Sequence, residues 1–167
     1  MARLLDDQLQ ALRQLDQHIE AAEREIEQIQ HDDQTAKRLR QVPGIGPLGA
    51  SALAATLGDG SAWKNAREFA CCLGLVPRHT GTGGKTHMGG ISKRGDSYLR
   101  TLLIHGARNL VRVANPPEWV AQMLKRRPFN VVATAMAHKM ARTAWALVAH
   151  NAPYEPRWQR AVATTTQ

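Results

Sequence analysis

Two proline–glycine pairs within residues 42–49 place the strongest constraint on how this chain folds. The stretch reads Val-Pro-Gly-Ile-Gly-Pro-Leu-Gly, and neither Pro43-Gly44 nor Gly46-Pro47 fits inside a regular helix or strand. A polar, helix-compatible segment (35–41) precedes the turn, and a run rich in alanine and leucine (50–57) follows it. This order of helix, glycine turn and helix predicts a helix-hairpin-helix motif.

Such a turn suits phosphate binding as well as helix packing. Gly44 and Gly46 lack a Cβ, so their backbone N–H groups can approach a phosphate closely. The second helix adds the positive end of its dipole at the same place. We therefore predict nucleic-acid contacts at Gly44 and Gly46. The alternative is a tight turn between two packed helices, for which glycine and proline suffice.

The ionisable side chains divide the chain into an acidic and a basic region. Lysine and arginine number 22 against 14 aspartates and glutamates, which gives a net charge of +8. Residues 1–33 hold nine acidic and three basic side chains, whereas residues 34–167 hold five acidic and nineteen basic ones. A polyanion is the simplest partner for such a basic excess. We expect a nucleic-acid surface after residue 35.

The N-terminal segment predicts a single long helix, roughly residues 3–31, that associates with another helix. Its apolar residues recur at spacings of three and four, with one gap at Asp16. They are Leu5, Leu9, Leu12, Ile19, Ala22, Ile26 and Ile29. A stripe this narrow is typical of a coiled coil, and we expect a homo-oligomer through residues 3–31. The alternative is packing of this helix on the rest of the same chain.

Residues 78–95 form a second unusual stretch, rich in glycine, cationic side chains and hydroxyl groups. It has almost no core-forming side chains, so we interpret it as a loop without regular structure, of the kind that is functional or disordered. Further helices are predicted at about 64–73, 97–114, 118–125 and 129–149. Since no segment has a convincing strand pattern, the predicted class is all-α. We divide it into a coiled-coil arm (1–35), a helical domain (36–152) and a loose tail (153–167).

The two cysteines and the hydropathy exclude several classes of protein. Cys71 and Cys72 are adjacent, a spacing that suits neither a disulfide nor a metal site, so we predict two small buried apolar residues. No apolar run reaches the roughly 18 residues needed to span a bilayer. The first residues do not form a signal peptide. We expect a cytoplasmic protein without a membrane partner.

Five motifs in a fixed order resemble one known family. They are Val42-Pro-Gly-Ile-Gly-Pro, Leu73-Gly-Leu-Val-Pro-Arg78, Thr82-Gly-Gly-Lys85, Gly90-Ile-Ser-Lys-Arg-Gly-Asp96 and Tyr98-Leu-Arg-Thr-Leu-Leu103. Together they closely resemble the IS110 insertion-sequence transposases, relatives of the Piv and MooV DNA invertases. The resemblance covers roughly residues 38–150.

The resemblance implies that this chain corresponds to one part of a multidomain recombinase. Full-length members have an N-terminal RuvC-like domain with four acidic metal ligands, a coiled-coil arm, and a C-terminal transposase domain with a nucleophilic serine. They recombine DNA guided by a structured RNA. This chain resembles the arm and the transposase domain only. The resemblance therefore implies DNA and a guide RNA as partners, and no metal ligand or cofactor in this chain. Mg²⁺ is expected only with the RuvC-like domain, and the chain alone is expected to be inactive.

The family's serine precedes glycines in the loop, and this chain has Thr82 at the corresponding place; a shift of the alignment by one residue places Gly81 there instead. By resemblance Thr82 is the nucleophile, although a threonine hydroxyl needs activation by a base or metal; Ser92 and Thr80 are the alternatives. Clustered cations and glycines suit phosphate binding, the alternative being a solvated basic loop. The predicted contacts beyond the turn at 42–49 are Arg78, Gly83, Gly84, Lys85, Lys93, Arg94 and Arg100.

Some other residues have two interpretations. His79 and His87 serve as acid or base, or are ordinary loop histidines. Arg108 and Arg112 share a helix face with Arg100 and form a basic stripe.

Two functions of different class fit these observations. The first is a recombinase domain that binds DNA and guide RNA and contributes the attacking hydroxyl. The second is a non-catalytic nucleic-acid-binding module, a truncated or repurposed transposase remnant that dimerises through its arm. The hydroxyl at position 82 separates the two.

Overall fold

Helices make up most of the structure, a computed structural model that describes residues 2–155. The elements in chain order are α1 (Ala2–Gln30), α2 (Gln34–Leu39), α3 (Pro47–Leu57), α4 (Ala66–Cys72), β1 (Pro77–Thr82), β2 (Lys85–Ile91), α5 (Ser97–Arg112), α6 (Glu118–Leu124) and α7 (Phe129–Ala149). The predicted helices are all present, most of them within two residues of their predicted ends. The predicted tail lies largely outside the described residues.

Helix α7 forms the centre of the domain. Helices α2, α3, α4, α5 and α6 each contact α7 directly, and α5 makes the most extensive contact. Four of its nine buried residues are alanines on the inward face, Ala133, Ala137, Ala141 and Ala144. Small side chains let the backbones of neighbouring helices approach closely. Phe69 of α4 and Leu53 of α3 fill the remaining space as fully buried side chains.

Side-chain caps fix where three of the helices begin. Asp33 caps α2, Asn65 caps α4 and Asp96 caps α5, each accepting hydrogen bonds from backbone N–H groups of the first turn. Such caps typically stabilise a helix by about 1 kcal/mol. At the start of α5, the Leu99 backbone N–H donates to Asp96 Oδ1 at 2.9 Å.

Helix α1 contacts the domain only near its C-terminal end, against α2 and α3. Gln30 is 3% exposed and its Nε2 donates to the Pro47 carbonyl oxygen and to Ser51 Oγ, which ties the end of α1 to the start of α3. Further toward the N-terminus the apolar stripe lies in solvent, with Leu12 and Ile19 each 56% exposed. The predicted helix is confirmed to within one residue at each end. Its packing on its own domain is limited to this junction.

The prediction of an all-α class was wrong in residues 78–95, which contain an antiparallel β-hairpin. Gly83 and Gly84 occupy a two-residue loop with φ of 60° and 80°, the left-handed conformations that a type I′ turn requires. Thr80 and Thr82 alternate with glycine before this pair, and Lys85, Thr86 and His87 follow it. The Gly-Gly pair between two such runs was the available signal for a hairpin. Lack of core-forming residues was misleading, because a ribbon exposed on both faces needs none.

The prediction that both cysteines are buried was also wrong. Cys71 and Cys72 are exposed as free thiols at the end of α4. Phe69, Ala70 and Leu73 turn the buried face of this helix toward α7, and the two positions between them point to solvent. Periodicity along α4 therefore decides their position, rather than the general tendency of cysteine to be buried.

The helices and turn predicted around residues 42–49 correspond to α2, the turn 40–46 and α3. That this unit acts as a nucleic-acid-binding helix-hairpin-helix stays a prediction. Among the described residues, none of the helices is long and apolar enough to cross a membrane.

Candidate nucleic-acid interface

The hairpin tip projects away from the domain. Strands β1 and β2 pair Thr82 with Lys85 and Thr80 with His87. A Cβ built on either Gly83 or Gly84 would meet no atom within 4 Å. Every β1 residue is exposed as well. The tip therefore offers its backbone N–H groups and its flanking side chains to a partner without rearrangement of the core.

Pairing across the strands places the candidate site residues on one face. Directly opposed residues share a face of an antiparallel ribbon, and their Cβ atoms lie about 5 Å apart. Thr80, Thr82, Lys85 and His87 therefore lie on one face, and Arg78 joins them because it alternates with Thr80 along β1. His79 lies on the other face, opposite Met88. The structure thus brings together two candidate hydroxyls, two cations and one imidazole.

Ser92 lies at the base of the hairpin, beside Arg78 and far from Thr82 and Lys85 at the tip. Its backbone N–H donates to the Val76 carbonyl at 2.9 Å, and its own carbonyl accepts from Arg78 Nη2 at 3.0 Å. Six steps of an extended strand separate Ser92's neighbour Ile91 from Lys85, or about 20 Å. Ser92 and Thr82 therefore cannot serve the same phosphate.

The segment after β2 holds the hairpin against the domain. Lys93 donates its backbone N–H to the Gly74 carbonyl at 3.2 Å, and both Lys93 and Arg94 have exposed side chains. Lys93 itself has a φ of 56°, a left-handed conformation that costs about 1 kcal/mol in a residue with a side chain. These two cations are thus fixed at the root of the hairpin, apart from Lys85 at its tip.

Arg100 has a structural partner already. Its Nη1 donates to the Leu73 carbonyl at 3.0 Å and lies 3.4 Å from the Asp96 carbonyl oxygen. The side chain is half-buried between the end of α4 and the start of α5. Arg100 therefore positions the root of the hairpin, and its contact with nucleic acid stays a prediction.

Gly44 packs against the domain rather than facing solvent. It has a φ of +84°, and a Cβ there would lie 2.9 Å from Leu110 Cδ1 and from Met140 Cε. Its carbonyl oxygen touches α5 so closely that a Cβ on Gly106 would overlap it. The glycine turn is therefore required for close packing of the 40–46 segment on α5. Gly46 differs: it is exposed, and a Cβ there would meet nothing within 4 Å.

The surroundings of Gly46 are acidic. The groove between α1 and the first residue of α3 is lined by three carboxylates, Glu20, Glu23 and Glu27, against one cation, Arg24, together with Pro47. Carboxylates beside the helix N-terminus oppose a phosphate, because like charges repel across the short distances of a groove. Of the two predicted contact regions, the hairpin has the more favourable electrostatics.

No carboxylate neutralises the hairpin. Residues 77–95 contain no aspartate or glutamate. Among the described residues, Arg40 and Glu27 form an ion pair at 3.6 Å where the arm meets the domain, and His31 Nδ1 lies 3.2 Å from Asp32 Oδ1. In the same part of the chain, His, Cys, Asp and Glu side chains form no group of three that could hold a metal ion. The chemical character of the hairpin is that of a cationic, hydroxyl-bearing ribbon.

Comparison with known proteins decides the family. A sequence model of the Transposase IS116/IS110/IS902 family matches residues 36–123, more than half of the chain. The chain belongs to this family of transposases. The match covers α2 to α6 and includes the whole hairpin. It confirms the resemblance drawn from the five sequence motifs.

Individual relatives agree with this assignment. The chain is 48% identical over 161 residues to the "Probable family 20 transposase" of Pseudomonas aeruginosa, covering 93% of this chain and 48% of that protein. It is 45% identical over 150 residues to the transposase for insertion sequence element IS1328 of Yersinia enterocolitica, covering 87% and 45%. It is 29% identical over 127 residues to the pilin gene-inverting protein of Moraxella lacunata, covering 73% and 39%. The chain spans about half the length of the curated relatives it matches or less.

Proposed function

We propose that this IS110-family chain is the nucleic-acid-binding transposase part of an RNA-guided DNA recombinase, and that its hairpin contacts the DNA. The observation that carries the proposal is the shared face of Arg78, Thr80, Thr82, Lys85 and His87, with no carboxylate in the hairpin. A cationic surface supplies the phosphate contacts that dominate affinity for DNA. A two-stranded ribbon also has the width that the major groove of B-form DNA admits.

The tip of the hairpin suits a close approach to the DNA backbone. Gly83 and Gly84 present main-chain N–H groups without side chains in the way, and Thr82 and Lys85 flank them. Lysine contributes a compact positive charge on a flexible side chain, which can stay close to a phosphate as the phosphate changes geometry during the reaction. Thr82 and Lys85 are therefore placed to meet the same phosphate.

The reaction we assign to the hairpin is attack of the Thr82 hydroxyl on a backbone phosphorus. A bond forms between Thr82 Oγ and phosphorus, one phosphate ester bond breaks, and the departing deoxyribose oxygen takes up a proton. His87, on the same face, accepts the proton that Thr82 loses, and Lys85 with the glycine N–H groups stabilises the charge on the phosphate. Mg²⁺, held by the RuvC-like domain of a longer protein, supplies the metal chemistry when bound.

Covalent adducts on suicide DNA substrates test this proposal, with the RuvC-like domain of a longer family member and a guide RNA supplied. We expect Thr82→Val to bind DNA as the wild type does and to form no adduct, because it keeps the shape and removes the hydroxyl. Thr82→Ser should keep or increase the adduct, since it removes the methyl group beside the attacking oxygen. An adduct that persists in Thr82→Val would reject Thr82 and favour Thr80, which faces His87.

The same assay separates the second candidate function. Salt-sensitive DNA binding without an adduct in any variant would identify a non-catalytic nucleic-acid-binding module. The substitution of threonine for the family's serine is the observation that favours this candidate.

We also propose that the chain self-associates through α1. Leu5, Leu9, Leu12 and Ile19 are each at least half exposed along one stripe, although water is an unfavourable environment for them. A second copy has the same stripe, and two such helices can bury their apolar stripes against each other as a coiled coil.

A further inference from the structure

A second cationic surface lies at the opposite end of α5 from the hairpin. Arg108 and Arg112 of α5 both face the ring of Phe129, the first residue of α7, with guanidinium carbons 5.2 Å and 5.4 Å from the ring centroid. Arg126 and Arg127 immediately precede this helix and are exposed. We call these five residues the Phe129 cluster.

The cluster holds like charges together without a compensating carboxylate. Arg108 and Arg112 approach the same ring, so their positive charges repel each other across a short distance. Between residues 97 and 150 the only acidic residue is Glu118, which accepts a hydrogen bond from Gln122 at 3.1 Å. An exposed cation–π contact contributes only about 0.5–1 kcal/mol, so the stability of the fold is a weak reason for assembling four arginines here.

Arg108 is ordered in advance of any ligand. Its Nη1 donates to Asn130 Oδ1 at 2.7 Å, which fixes the orientation of the guanidinium group over Phe129. An arginine held on an aromatic ring keeps other N–H donors free for an anion, and its planar fork matches a phosphate. Because the Arg108 side chain is already restrained, less conformational entropy is lost when it binds an anion.

We propose that the Phe129 cluster is a second nucleic-acid contact, which binds backbone phosphates of double-stranded DNA. This inference rests on the proposed function, and it adds a site that acts together with the hairpin. Helix α5 begins at the root of the hairpin, and Arg108 and Arg112 follow Ser97 by eleven and fifteen residues, or about 16 Å and 22 Å along the helix axis. The two surfaces therefore contact phosphates that lie well apart on the duplex. Contacts to phosphates alone bind different sequences about equally.

Removal of the two α5 arginines tests the second contact. In Arg108→Gln with Arg112→Gln, the side chains keep much of their length and lose their charge. The measurement is fluorescence anisotropy of a labelled duplex at several salt concentrations, with the full chain. We expect the slope of log affinity against log salt to become shallower by about 2, since each lost phosphate contact changes the slope by nearly one. Duplexes of unrelated sequence should lose affinity equally.

Three controls make the outcome specific. Lys37→Gln with Lys64→Gln removes the same charge from exposed positions outside both surfaces and should leave the slope at the wild-type value. Arg108→Lys with Arg112→Lys keeps the charge and should keep the slope. The change in the glutamine variant is then attributed to the lost charge rather than to replacement of the arginine side chains. Circular dichroism should show the same helix content in all variants.

The possible results separate the two proposals. A wild-type slope in the Arg108→Gln, Arg112→Gln variant would overturn the second contact and leave the hairpin proposal intact. Weakening that is equal in this variant and in the Lys37→Gln, Lys64→Gln control would also overturn it, because net charge would then be responsible. No salt-dependent binding by the wild type would reject the proposed function itself. Loss of binding to an acidic protein in the glutamine variant, with an unchanged slope for DNA, would assign the cluster to a protein partner and contradict the proposal.

Discussion

The arm and the domain that follows it differ in how much of their apolar surface is buried. The domain covers its apolar residues with its own helices, so that Phe69, Leu53 and Val132 are fully buried. The arm leaves Leu5, Leu9 and their neighbours in solvent and meets the domain only at its end. One region therefore folds on itself, whereas the other requires a partner helix to bury the same kind of surface.

Charge follows the same division. The first 33 residues are acidic and the remainder is strongly basic, and an ion pair between Arg40 and Glu27 links the two at their junction. An acidic arm is repelled by DNA, so it stays available for another copy of the chain. A basic domain attracts DNA. The contrast supports our proposal that the arm associates with another copy while the domain binds nucleic acid.

The largest expected effect concerns the domain alone. Gly106→Ala should lower its free energy of unfolding by about 3 kcal/mol, because the added methyl group overlaps the Gly44 carbonyl oxygen in a tightly packed contact. Urea unfolding followed by circular dichroism measures this. Gly46→Ala is the control, in the turn that packs against Gly106, and it should change stability by less than about 0.5 kcal/mol because its surroundings are open. Equal losses in the two variants would contradict the packing role of Gly106.

The next effect concerns the arm alone. Leu12→Asp with Ile19→Asp should convert the oligomer to a monomer in analytical ultracentrifugation, because a buried carboxylate at the helix interface is strongly unfavourable. Gln10→Asp with Gln17→Asp adds the same charge off the stripe and should leave the mass at the wild-type value. The urea transition of the domain should not shift in either variant. If wild type and the Leu12→Asp, Ile19→Asp variant have the same mass, the arm does not associate through this stripe.

A third effect is smaller and belongs to the hairpin. Arg78→Gln with Lys85→Gln should make the slope of log affinity against log salt shallower by about 2 while the oligomer mass stays constant. A similar change of slope on replacing Arg13 and Arg24 of the arm with glutamine would remove the distinction between the two regions.

The smallest effect is a dependence of domain stability on pH. Burial, with the positive charges of Arg142 and Arg67, lowers the pKa of His138. The unfolded chain then binds a proton at this site more readily than the folded chain, so the free energy of unfolding should fall as the pH decreases from 7 through the ordinary histidine range. His138→Gln should flatten this dependence in urea unfolding at pH 7 and pH 5, whereas His18→Gln in the arm should not. An unchanged dependence in His138→Gln would assign it to other groups.

The sequence predicted the helices well because helical periodicity and caps are local. The stripe of α1, the cap at Asp96 and the bounds of α7 all follow from residues within a few positions of one another. The hairpin was missed because its strands have no buried face, so the alternation of apolar and polar residues that normally marks a strand is absent. The order of the motifs identified the family without this detail.

The candidate site was predicted as a list of residues but not as an arrangement. Sequence alone cannot show that Thr80 faces His87, since that depends on a register set by the Gly83-Gly84 turn. It also cannot separate Gly44, which packs on α5, from Gly46, which is open, because the two glycines look alike in the chain. Contacts between distant segments decide both.

The central claim is that the domain binds duplex DNA mainly through phosphates while the arm does not. The salt dependence of duplex binding, measured side by side for the wild type and for Leu12→Asp with Ile19→Asp, tests it most directly. With about five phosphate contacts for each protomer, we expect log affinity to fall with log salt at a slope of −4 to −5 for the monomeric variant. The wild type should have an equal or steeper slope. A flat response in the monomeric variant would contradict the account, since binding would then depend on the arm or on contacts other than phosphates.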